Sequence, residues 1–70
     1  MKVSYDGLWK LLIDKKMNKT DLKNITNIGS ATLAKLSKGE PVDLVVLMKI
    51  CKALNCELGA ICCFVEENND

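Results

Sequence analysis

Histidine is missing from the chain altogether, and tryptophan, tyrosine, phenylalanine and proline occur once each. With no imidazole, no nucleophile–base pair and no phosphate-cradling glycine loop, the sequence offers nothing for enzyme catalysis, and no enzyme is expected. The four cysteines, at positions 51, 56, 62 and 63, fit no zinc-ligand spacing, so neither a metal nor a cofactor is expected. Few aromatics means an aliphatic core, and little proline or glycine favours helices over a small barrel. Long apolar runs are also lacking: residues 44–48 and 60–65 are far too short to span a bilayer. Residues 1–6 have no apolar stretch of the kind a secretory signal needs. A cytoplasmic protein with no membrane partner is the expectation.

What the chain does have is apolar content, 49% of seventy residues. A core this small is marginal, and a domain of this length must commit about half its residues to it. One domain over residues 1–65 is expected, followed at 66–70 by an acidic tail that cannot bury itself and is read as disordered. The cysteines crowd apolar helix surface in the last third and read as reduced core residues rather than a disulfide frame. Adjacent Cys62 and Cys63 rarely bridge to each other, which disfavours a thiol sensor.

The net charge of +1 hides an asymmetry. Eight of the ten lysines fall in residues 1–38 against three acids, whereas two lysines face six acids in residues 39–70. The basic half suits an anionic partner, although solvated helix surfaces carry lysines too.

Apolar spacing divides the chain into five short helices. The first runs from Ser4 or Asp6 to Lys16, with Leu8, Leu11, Leu12 and Trp9 along its inner stripe. A second, residues 20–26, turns Leu22 and Ile25 inward. Asn27, Ile28 and Gly29 then make a tight turn, because Asn and Gly tolerate left-handed backbone and Ile28 can plug into the core. Ser30 is expected to cap a third helix over residues 31–38, which Gly39 stops. Asp43 is expected to cap a fourth, residues 44–54, burying Leu44, Leu47, Ile50, Cys51 and Leu54. A fifth covers residues 58–63.

Two short helices joined by a three-residue turn form a helix-turn-helix, whose second member lies in a DNA major groove. At 100° per residue, with Leu33 at zero, Leu36 lies near ~300° while Lys38, Ala31 and Lys35 lie near ~140°, ~160° and ~200°. The outward face is therefore small at its leading end and cationic further along. Ala and the Thr methyl can meet a thymine methyl, hydroxyls can bond to base edges, and Lys can reach guanine or phosphate. Helix N-termini can hold phosphates beside Lys19, Thr20 and Ser30.

The stretch NKTDLKNITNIGSATLAKLSKGEPVDLVVLMKICKALNCELGAI, and LMKICKALNCELG above all, resembles a compact bacterial subfamily of Cro/phage-repressor (XRE-like) regulators. The resemblance spans residues 8–65. It implies an all-α, five-helix, lambda-repressor-like fold, binding to a double-stranded DNA operator, and a homodimer. It places Ser30, Ala31, Thr32 and Lys35 at base-facing positions, and Lys19, Thr20 and Lys38 at phosphate-contacting ones. Lys23 stands where the family has a small residue and is grouped with the phosphate contacts; Asn27 stands where it has glycine.

Arginine and glutamine, the best bidentate readers of guanine and adenine, are absent, which predicts modest specificity per subunit and so argues for a dimer. Its expected interface is Cys63, Phe64 and Val65, joined by Val45, Val46 or Met48. Alternatively Phe64 folds back near Trp9. The function expected is a sequence-specific transcriptional regulator, a repressor, reading DNA with the helix Ser30–Lys38. The alternative is a helical protein-interaction module or antitoxin-like partner built on the same fold.

Overall fold

The computed structural model describes residues 1–66. Five helices form in order: α1 (Asp6–Asp14), α2 (Lys19–Thr26), α3 (Ser30–Lys38), α4 (Leu44–Leu54) and α5 (Leu58–Ile61). Two strands bracket them, β1 (Lys2–Ser4) and β2 (Cys63–Val65), paired antiparallel with Lys2 opposite Val65, Val3 opposite Phe64 and Ser4 opposite Cys63. The fold is thus mostly helical but not strictly all-α. The fifth helix stops at Ile61 rather than 63, because Cys62 is already extended and leads into β2. Among the described residues no helix is long and apolar enough to cross a membrane. Of the tail expected at 66–70, Glu66 is exposed and residues 67–70 lie outside the described residues.

Each helix sends one aliphatic side chain completely out of solvent: Leu8, Leu22, Leu36, Ile50 and Ile61. Tyr5, Leu12, Ile28 and Leu54 complete the buried cluster. Fully burying an aliphatic side chain stabilises by about 1.5–3 kcal/mol, so this five-spoked core is the main force that gathers helices too short to persist alone. Cys51, Cys56 and Cys62 pack half-buried against it as free thiols, and Cys63 is exposed.

Two inward assignments are corrected. Ile25 is half-exposed while Thr26, its neighbour, is buried. The Thr26 hydroxyl donates to the Leu22 carbonyl one turn back at 2.6 Å, which satisfies the group and lets a polar residue face α4. Leu44 is 62% exposed, because the first turn of α4 projects past the core, and Val46 and Leu47 pack inward there instead.

Close helix contact has a sequence cause at Gly7. A Cβ on Gly7 would run into the carbonyl oxygen of Ala60, so only glycine lets α1 lie against α5. The buried Tyr5 ties the N-terminal strand to the loop after α3, its hydroxyl donating to the Glu40 carbonyl at 2.8 Å.

Candidate nucleic-acid interface

α2 is held at its start by a reciprocal cap. The Asn18 side chain accepts from the Asp21 backbone N–H at 2.8 Å, and Asp21 accepts from the Asn18 N–H at 3.0 Å. This satisfies two of the four donors a helix start leaves free. At its end Asn27 adopts a left-handed backbone (φ 56°), the conformation for which asparagine ranks next to glycine. Asn27 therefore makes the turn that glycine would make. Gly29, by contrast, is extended (φ −78°) and needs no glycine-specific freedom.

α3 starts one residue earlier than its sequence suggests. Gly29, not Ser30, occupies the N-cap, and no side chain caps the helix. The Ser30 hydroxyl is engaged elsewhere: it accepts from the Lys23 ammonium at 2.8 Å, across the turn. At the other end Gly39 turns left-handed (φ 74°) and donates to the Leu36 carbonyl, ending the helix as expected. Asp43 likewise sits at the N-cap of α4 without a side-chain cap bond.

Leu36 is buried and Leu33 half-buried, so the inner face of α3 is the leucine face. Ser30, Ala31, Ala34, Lys35 and Lys38 are exposed on the rest. Thr32 is half-buried, lining with Lys35 a small cleft toward the start of α4, formed by Pro41, Val42, Asp43 and Val46. Three of the four expected base-facing residues thus stand in the open, and the fourth sits at a rim.

Lys19, Thr20 and Lys38 are exposed, whereas Lys23 is half-buried. Lys19 lies 4.5 Å from the centroid of the Trp9 ring and donates to Ser37 Oγ at 3.1 Å, so one ammonium joins α1, α2 and α3. Such a cation–π contact contributes about 0.5–1 kcal/mol at an exposed site. The partners of Lys19 and Lys23 are neutral, so neither positive charge is cancelled by its own contact. Trp9 and Ser37 were not legible as parts of this surface, since Trp9 reads equally well as core and Ser37 as a solvated position.

Phe64 is 74% exposed and shares an open apolar groove with Met1, Val3, Leu44 and Leu58. It does not fold back on Trp9. Val65, on the opposite face of the strand, lines the cleft beside Trp9 instead.

A capped helix, a left-handed turn and a second helix with a small, cationic outer face define a helix-turn-helix DNA-binding domain. The match to known families agrees. Residues 7–67 fit the model of the Cro/C1-type HTH DNA-binding domain, and the chain belongs to that family. It is similar to a solved transcriptional regulator, VanUg, with 47% identity and a TM-score of 0.92 over 94% of this chain and 88% of that one. Comparison with curated proteins finds no match.

Proposed function

We propose that this chain is a sequence-specific transcriptional regulator that represses by occupying a DNA operator as a homodimer. The observation that carries this reading is the outer face of α3, where Ser30, Ala31 and Lys35 are exposed on a helix locked by its inner leucines. Family membership supports the DNA partner, and the likeness to VanUg, itself a transcriptional regulator, supports the role. In this reading α3 enters the major groove with its short residues leading. Ala31 and Thr32 meet thymine methyls, Ser30 bonds to a base edge, and Lys35 reaches guanine O6/N7. Lys19 and Lys38 neutralise flanking phosphates, the Thr20 hydroxyl donates to one, and together they set the register.

Dimerisation follows from how little one such module buries on DNA. Two copies reading half-sites about one helical turn apart restore affinity and specificity. The surface proposed for contact is the apolar groove that Phe64 lines; Cys63 and Val65 flank Phe64 in β2 but stand on the other face of the strand. A contiguous apolar patch, unlike a single exposed residue, marks an interaction site. The same groove is what favours the rival reading, capture of a different protein by a helical adaptor.

Selection from a randomised duplex pool at low and physiological salt tests the proposal. The expected result is enrichment of a palindrome, with affinity falling steeply as salt rises because phosphate contacts release counterions. Retention without sequence preference, or none, would contradict it and turn attention to a protein partner.

A further inference from the structure

Lys23 is the one expected phosphate contact that the turn draws away from the outer surface. It is half-buried in α2, and its ammonium donates to the Ser30 hydroxyl at 2.8 Å. An ammonium has three donors and no acceptor, so in this bond the serine oxygen can only accept. The serine hydrogen is then left without a partner among the described residues, at the leading end of an exposed helix face. A cation 2.8 Å behind the oxygen also disfavours any second donor approaching it from the front.

We infer that Lys23 is a positioning residue for base readout, which fixes Ser30 as a hydrogen-bond donor toward DNA. The inference rests on the reading of α3 as the helix in the major groove. Its chemical consequence is selective. In the major groove guanine offers N7 and O6, adenine N7 and thymine O4 as acceptors, whereas cytosine offers only its N4 amino donor. The Lys23–Ser30 pair therefore accepts guanine, adenine or thymine at one position of the half-site and rejects cytosine. The discrimination is on the order of 10-fold, the scale of one hydrogen bond strengthened by an adjacent charge.

The test is the base preference at every half-site position for the unmodified chain and for Lys23→Met, Lys23→Arg, Ser30→Ala and the double variant Lys23→Met/Ser30→Ala. The expected result is one position at which cytosine is excluded. That exclusion is lost in Lys23→Met and in Ser30→Ala, not lost further in the double variant, and kept in Lys23→Arg, which retains a cationic donor. Circular dichroism of each variant, unchanged from the parent, shows that the loss is one of readout and not of folding. The inference is overturned if Lys23→Met keeps every preference and only weakens binding uniformly with a salt slope shallower by about one, the behaviour of a phosphate contact. It is overturned equally if Ser30→Ala alone loses the preference. If the unmodified chain selects no sequence at all, the DNA-reading proposal itself fails, and this inference with it.

Discussion

At Gly7 the absence of a side chain decides how near two helices can come. Alanine there would gain helix propensity of about 0.8–1 kcal/mol, but its Cβ would press on the Ala60 carbonyl oxygen, which is backbone and cannot swing aside. Overpacking of this kind costs about 1–3 kcal/mol, so the strain wins. Gly7→Ala is expected to lower the thermal midpoint by roughly 4–8 °C per net kcal/mol lost, read by circular dichroism; an unchanged or raised midpoint would mean that α5 can shift freely. Gly29, where a Cβ would meet nothing, is the internal control. The sequence does not distinguish these glycines, because what separates them is a neighbour more than fifty positions away in the chain. The same limit hides the Lys23–Ser30 bond: the sequence offers Lys23 as a phosphate contact and Ser30 as a cap and a base-facing residue, since each local rule is blind to the other helix.

Among elements, α2 shows what local rules can do. Asn18 followed three residues later by Asp21 is a shortened form of the capping box, and the structure forms both of its bonds. Because α2 has only 8 residues, it depends on that cap more than a long helix would. Asn18→Ala is expected to destabilise the fold by ~1 kcal/mol, measured by urea unfolding, with the slope unchanged. No loss would show that tertiary packing alone holds the helix start. The helices were legible because two to five apolar positions per element repeat at helical spacing. The strands were not, since three residues are too few to show a period of two and their pairing joins opposite ends of the chain. Reading 58–63 as a helix, and Cys63, Phe64 and Val65 as an interface rather than a strand, follows directly from that. Ile25 and Leu44 were misplaced for a related reason: spacing defines a stripe, but packing decides which edge of it turns inward.

The whole molecule couples its stability to alkaline pH. Burial pushes the Tyr5 phenol above its ordinary value near 10, with Cys62 adding to the effect. Burial first, then neighbouring Cys56, pushes the Cys51 thiol above its ordinary value near 9, and burial with Cys63 alongside does the same to Cys62. In all three the folded state holds its proton more tightly than the unfolded state. Their stabilising contribution is therefore complete below about pH 9 and is lost as pH rises through the folded values. A thermal midpoint flat through neutrality and falling above pH 9 is expected under reducing conditions, and one rising there would reverse the sign. In the proposed homodimer the groove around Phe64 is the contact surface. Phe64→Asp should shift the chain from dimer to monomer in sedimentation and weaken operator binding while leaving the fold intact; a dimer that survives the change would place the interface elsewhere.

The central claim is that α3 is the surface that meets DNA, and amide chemical shifts recorded during titration with a duplex recovered from the pool test it most directly. The perturbations are expected to concentrate in residues 19–23, the leading part of α2, and in residues 30–38, the whole of α3. Perturbation confined to the groove around Leu44 and Phe64, with α3 unmoved, would contradict it.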